Sequence, residues 1–348
     1  MTHEGLIYLA AGTALIGLMA YAVLGGADFG GGVWDLFATG PRRYAQRAAI
    51  ARAMGPVWEA NHVWLIFVIV LLFTCFPYGY APLGIALFIP FHLALAGIML
   101  RGAAFVFRGY GRRLRGTTGT PSGDTQGSWW GIVFGVASLI SPFFLGLAFG
   151  VVTEGGVRLD RSGNVTLMNS PYWLSPYAVG CGLLALSTCA YLAAVYLVVE
   201  TEGALREDFR LRAIVSGTTT AGLALLVLLF AWREADWFFR QLVSPRSWPV
   251  LAAGLACFAA SAWAVFGRRY RLSRVFAAGE IVLLLLGWGL AHQPYLVYPD
   301  ITLQRAAAPA PTITFMLATL PFGALLLIPS LWLLFHVFKA RGPWTDPA

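Results

Sequence analysis

The feature that most constrains this chain is a series of long stretches without a single Asp, Glu, Lys or Arg, one of which runs 41 residues from Ala60 to Leu100. A helix rises about 1.5 Å per residue and the hydrocarbon core of a bilayer is about 30 Å thick, so roughly 20 apolar residues suffice to cross it. Cores of this kind predict helices over about 5–35, 56–77, 82–108, 129–152, 173–200, 208–232, 248–268, 273–292 and 312–339. The 41-residue run is read as a helical hairpin turned by Pro77-Tyr78-Gly79-Tyr80-Ala81-Pro82. Strands are excluded, because membrane strands alternate over about ten residues whereas these runs are continuously apolar. Composition agrees: 58% of the 348 residues are hydrophobic and 11% charged, against about a quarter charged in soluble domains. The expected fold is an all-α integral membrane protein, one polytopic membrane domain over residues 1–348 with nine transmembrane helices. The longest connections, near 109–128, 153–171 and 292–311, are too short for a soluble domain.

The formal charge of +8 raises the question of nucleic acid, but the basic residues, all Arg except Lys339, are scattered between apolar runs. Their distribution reports topology instead. The connections after the first, third, fifth and seventh predicted helices hold Arg42 to Arg52, Arg108 to Arg115, Arg206 to Arg212 and Arg268 to Arg274, and the tail adds Lys339 and Arg341. The opposite side holds only Arg158, Arg161, Arg233, Arg240, Arg246 and Arg305. This predicts an N-terminus outside and a C-terminus in the cytoplasm. Trp34, Trp129, Trp130, Trp173, Trp237, Trp248 and Trp344 fall near span ends, as interfacial aromatics do. No basic region precedes the first apolar run, so no cleaved signal peptide is expected. Cys75, Cys181, Cys189 and Cys257 form no CxxC pair and are read as small buried hydrophobes. A loose internal echo, Ala20-Tyr21 leading to Asp28 and Ala190-Tyr191 leading to Glu200 and Glu202, predicts two four-helix bundles plus one peripheral helix.

Charge inside a span costs several kcal/mol unless it faces the bundle interior with a partner, so intramembrane ionisable residues are the functional candidates. They are Asp28, Glu59, Arg101, Glu280, His62 and His92. Asp28 falls near the cytoplasmic end of the first span, and Glu59 opens the second from the same side, within Trp58-Glu59-Ala60-Asn61-His62. Glu59 and His62, three apart, share a helix face. Arg101 reaches a similar depth as a counter-ion. The cluster reads either as a proton path through Asp28, Glu59, His62, Asn61 and Trp58, or as an ion pair locking helices. His62 and His92 are core histidines or, alternatively, haem ligands. Gly26-x-x-x-Gly30 reads as a close helix contact rather than a nucleotide loop. Glu280 is a second relay or the partner of Arg274. A proton-coupled secondary transporter would also explain intramembrane acids.

Residues 26–32 (Gly-Ala-Asp-Phe-Gly-Gly-Gly), residues 58–66 (Trp-Glu-Ala-Asn-His-Val-Trp-Leu-Ile), Arg101 through Arg108, Pro294-Tyr295-Leu296-Val297-Tyr298-Pro299, Ala306-Ala307-Ala308-Pro309 and Phe315-Met316 together resemble subunit II of cytochrome bd-type quinol oxidases. The resemblance covers nearly the whole chain, with 58–66 its most specific part. It implies a bacterial cytoplasmic membrane subunit, haem-free, with no catalytic residue or metal of its own. Its expected partner is subunit I, which carries haems b and d, or b only, and oxidises quinol while reducing O2 to water. It implies a role in assembly and a cytoplasmic proton route at Asp28 and Glu59. A structural quinone and a small single-helix subunit occur in some relatives. Glu59 and His62, where some relatives have Asp and Gln, resemble the cyanide-insensitive branch.

Overall fold

The computed structural model describes residues 2–54, 58–116, 129–160, 163–167 and 173–339. Arg161, Arg341 and Trp344, used above, lie outside them, as do the side chains of Trp58, Arg112, Arg113, Arg115 and Lys339. The described chain is helical throughout apart from two small hairpins. Helix α1 (His3–Leu36) is capped by Thr2, whose hydroxyl accepts from the Gly5 N–H at 3.2 Å. Then follow α2 (Arg43–Met54), α3 (Trp58–Cys75), α4 (Pro77–Ala86), α5 (Phe88–Gly116) and α6 (Trp129–Glu154). A hairpin of β1 (Val157–Leu159) and β2 (Val165–Leu167) leads to α7 (Pro176–Glu200), α8 (Gly203–Glu234), α9 (Asp236–Leu242), α10 (Trp248–Phe266) and α11 (Tyr270–His292). A second hairpin, β3 (Tyr295–Val297) with β4 (Ile301–Thr302), precedes α12 (Leu303–Ala306) and α13 (Ala310–Lys339).

Eight described helices are long and apolar enough to cross a membrane, and α2 with α3 makes a ninth when the bent pair is taken as one span. Several elements depart from the sequence reading. The predicted turn at 77–82 is the helix α4, so the 41-residue run is three helices rather than a simple hairpin. Pro77 and Pro90 each sit in a first helical turn, where the missing N–H has no helical acceptor to lose. With ten residues, α4 spans only about 15 Å and cannot cross; it packs on α12 and β3 instead. Another departure is α2, read as a loop because of its arginines. Its Ala-rich sequence favours helix, and Gln46, Ala49, Ile50 and Met54 form one buried stripe. Helix α8 also begins earlier than predicted, because charged residues such as Arg206 and Asp208 are tolerated in a helix turn that lies beyond the apolar segment.

Polar contacts sort the connections into two ends. At one, the Ala308 N–H donates to the Cys75 carbonyl at 2.8 Å, Gln304 donates to the Tyr8 hydroxyl at 3.1 Å, and Arg158 pairs with Asp300 at 2.9 Å. At the other, Arg42 pairs with Asp208 at 2.5 Å, Arg212 donates to Gln46 at 2.6 Å, and Arg268 pairs with Glu207 at 3.3 Å. These are the two sides the arginine count separated.

Helix α1 is central and packs against α3, α6, α7 and α11. It does so by having no side chain where backbones meet. A Cβ at Gly30 would overlap the Cys189 carbonyl of α7, one at Gly31 the Met54 sulfur of α2, and one at Gly32 the Ser138 hydroxyl of α6. Successive residues turn about 100° around a helix, so three consecutive glycines open three sides of it. Gly26, a turn earlier, also faces Cys189, which makes Gly26-x-x-x-Gly30 the α1–α7 contact. A second such seam joins α6 to α7, where a Cβ at Gly146 would stand 2.7 Å from the Cys181 carbonyl. Gly30→Val therefore forces a backbone apart; it should cost about 3 kcal/mol, the upper end for overpacking, and sharply lower the membrane abundance of the chain. Gly12→Ala, with nothing within 4 Å, should leave abundance unchanged. Equal abundance of the two variants would refute the close-packing account.

Candidate functional site

The site is built on the last third of α1. Asp28 is buried, and Asn61, buried on α3, donates from its amide to the Asp28 carboxylate and at 3.4 Å to the Leu24 carbonyl. Arg101 enters from α5 and is only 1% exposed. Its Nη2 donates to the Asp28 backbone carbonyl at 2.9 Å and its Nε to Ser138 Oγ of α6 at 3.2 Å. The guanidinium lies between the rings of Phe29 and Phe134, 5.1 and 5.2 Å from their centroids. A weakly hydrated planar cation suits that apolar slot, where it can use ring faces and a fork of donors at once. Arg101 thus ties α1, α5 and α6 together at the depth of Asp28.

His62 lies on the same side of α1, with its ring 5.9 Å from Tyr21 and 5.8 Å from Phe29. His92 is elsewhere: exposed on α5, its Nδ1 2.7 Å from the Phe88 carbonyl of its own helix and its ring 4.0 Å from Phe88. The two histidines have different neighbours, so the pair does not fit the haem-ligand alternative. Among the described residues no three His, Cys, Asp or Glu side chains gather to hold a metal. Glu59 is exposed at the start of α3, so the structure unites Asp28, Asn61, Arg101 and His62 but leaves Glu59 outside their buried cluster. Arg274 pairs with Glu200 at 3.4 Å, which removes the alternative of Arg274 with Glu280. Glu280 Oε2 is buried with no hydrogen-bond partner among the described residues.

A second ion pair escaped the sequence reading. Asp35 is 3% exposed, and Arg108 clasps its carboxylate with both terminal nitrogens, at 3.0 and 3.3 Å. Arg47 adds a bond to the Asp35 carbonyl at 3.1 Å. The signal was present: Asp35 follows Asp28 by seven residues, and Arg108 follows Arg101 by seven, two turns down parallel helices. A cavity of about 60 Å³ adjoins the site, bordered by Asp28, Asn61 and Met54 and, on α7, by Tyr196 and Glu200.

The chain as a whole has counterparts in known proteins. The family model described as cytochrome bd terminal oxidase subunit II matches residues 6–338. The chain belongs to this family. It is thus a multi-pass protein of the bacterial cytoplasmic membrane and a subunit of an oxidoreductase complex. The subunit II sequences it resembles include cytochrome bd ubiquinol oxidase subunit 2 of Bacillus subtilis (strain 168), 26% identical over 345 residues and covering 94% of each chain. They also include cytochrome bd-I ubiquinol oxidase subunit 2 of Escherichia coli (strain K12), 25% identical, covering 86% of this chain and 83% of that one. The solved bd oxidase of Geobacillus thermodenitrificans shares the fold of this subunit II, with a TM-score of 0.78 at 22% identity over 96% of this chain and 98% of that one.

Removing a buried charged partner costs about 3–5 kcal/mol, so Arg101→Met should lower the stability of the purified oxidase by that order. Arg101→Lys should recover less than half, because an ammonium cannot serve the Asp28 carbonyl, Ser138 and two ring faces together. Thermal unfolding in mild detergent measures both, and an unshifted midpoint for Arg101→Met would show that the arginine holds nothing.

Proposed function

We propose that this chain is the haem-free second subunit of a cytochrome bd-type quinol:O2 oxidoreductase, stabilising the haem-bearing subunit I and carrying cytoplasmic protons toward the site of O2 reduction. The observation that carries the reading is Asp28: a carboxylate buried deep in a spanning helix, hydrogen-bonded to Asn61 and bordering a cavity. Membrane helices tolerate such a group at a cost that function offsets. In this reading Asp28 and Glu59 accept protons, Asn61, His62 and Trp58 shape the polar path, and Arg101 holds Asp28 in place. The exposure of Glu59 suits an outer acceptor and the burial of Asp28 an inner one.

The architecture we infer has nine transmembrane helices in one polytopic domain, the N-terminus outside and the C-terminus in the cytoplasm. We infer two four-helix bundles, α1, α3, α5 and α6 in one and α7, α8, α10 and α11 in the other, joined along the α1–α7 and α6–α7 contacts. Helix α13, which packs on α1 and α3, would be the peripheral ninth span. Its exposed Phe322, Leu326 and Trp332, like Ile66 and Phe73 on α3, suit contact with lipid or with subunit I. The relatives whose names specify ubiquinol support quinol as the electron donor of the complex. Haems b and d, or b alone, are assigned to subunit I, since the histidines here do not fit a ligand pair. We include neither a structural quinone nor a small single-helix subunit, as no described side chain selects one. The transporter alternative gains no support, because α1 runs unbroken through Asp28 where a discontinuous helix would be expected.

The tagged chain, purified in mild detergent, should co-elute with a haem-bearing polypeptide in roughly equal amount. In that complex Asp28→Asn should keep the haem spectrum and slow O2 reduction by about tenfold or more, the scale of a lost proton-transfer group. Wild-type turnover of the Asp28→Asn complex would defeat the conduit role, and a colourless chain eluting alone would defeat the subunit assignment.

A further inference from the structure

The cavity beside Asp28 has a second acid on its wall. Helices α1 and α7 lie side by side with Gly26 and Gly30 facing Cys189 and Ala193. Glu200, the last residue of α7 and seven beyond Ala193, therefore stands about 10 Å farther toward the arginine-rich end than Gly30. Its side chain is 38% exposed, while Asp28 is 6% exposed, so the cavity they both line joins a solvent-reached carboxylate to a buried one. Among the described residues, Tyr196 and Asn61 are the other polar groups on its wall, and the rest, including Ala53 and Met54 of α2, is apolar. A water molecule needs about 10–15 Å³ of such space and two or more polar partners, so about 60 Å³ between two acids, an amide and a phenol accommodates a short water chain.

Glu200 also pairs with Arg274, at 3.4 Å and with 43% of the arginine side chain exposed. An ion pair that open to solvent contributes only about 0–1 kcal/mol, so stability does not account for a carboxylate at this place. We propose that Glu200 is a proton-entry group on the α7 side of α1. It takes a proton from cytoplasmic water, releases it to water in the cavity, and that water delivers it to the Asp28 carboxylate, after which Glu200 is reprotonated from bulk. Arg274 keeps the carboxylate at the mouth. This mouth is separate from Glu59 on α3, and the two acids of the loose internal echo, Asp28 and Glu200, meet at one cavity. The inference rests on the conduit reading of Asp28.

The test uses the whole oxidase complex in vesicles, fully reduced and mixed with O2, with proton uptake followed by a pH-sensitive dye. Glu200→Gln should slow uptake about tenfold at unchanged haem spectrum, Glu200→Asp should stay within about threefold of wild type, and Arg274→Gln within about twofold. Ala53→Leu, which fills the cavity and keeps both acids, should slow uptake as Glu200→Gln does. Equal slowing by Glu200→Gln, Glu200→Asp and Arg274→Gln would make the pair structural and overturn the proposal. Wild-type uptake in Glu200→Gln with slow uptake in Asp28→Asn would also overturn it while leaving the Asp28 route intact. Wild-type uptake in both would mean that the conduit reading itself is wrong.

Discussion

The rest of this structure depends on how closely its first helix is approached by its neighbours. Lipid tails are as apolar as leucine, so helices in a membrane gain little from hiding apolar surface and associate through close packing and polar contacts. Gly30, Gly31 and Gly32 supply the packing, letting α7, α2 and α6 reach the α1 backbone on three sides. The same glycines bring Cys189 and Ala193 against α1, set the relative height of α1 and α7, and so fix which side chains share the depth of Asp28.

On that scaffold two arginines of α5 supply the polar contacts. Arg101 and Arg108 repeat the spacing of Asp28 and Asp35, so α5 is held to α1 by long side chains at two levels rather than by intimate backbone contact. The levels differ in kind. Asp35 receives a bidentate clasp that engages both of its oxygens, the arrangement of a structural lock. At Asp28, Arg101 donates to the backbone carbonyl, Asn61 donates to the carboxylate, and a cavity lies alongside. The Asp35 carboxylate is clasped by Arg108, and the Asp28 residue borders a cavity. In the reading proposed above, Asp28 is the relay and Asp35 the structural pair.

Much was legible in the sequence because the bilayer leaves few choices. Backbone groups in lipid must be satisfied within the segment, so charge-free runs of sufficient length become helices, and the arginine-rich connections mark one end of them. The helical spans, the burial of Asp28 and Asn61 and the close contact at Gly26 and Gly30 all follow from that one-dimensional record. What failed did so where a one-dimensional signal has two structural uses. Pro77 and Pro82 serve equally for a turn and for the short helix α4, and the arginines of α2 read as loop although its buried stripe makes it a helix.

The sequence by itself determined that this is a helical membrane protein and which ionisable residues must justify their place in it. Tertiary structure decided which of them meet. Glu59 stands at the surface, Arg101 spans three helices, Arg274 takes Glu200 rather than Glu280, and Asp28 and Glu200 share a cavity. Periodicity places a side chain along and around its own helix, whereas the height and rotation of that helix against its neighbours come from contacts between residues more than a hundred positions apart, such as Gly30 with Cys189.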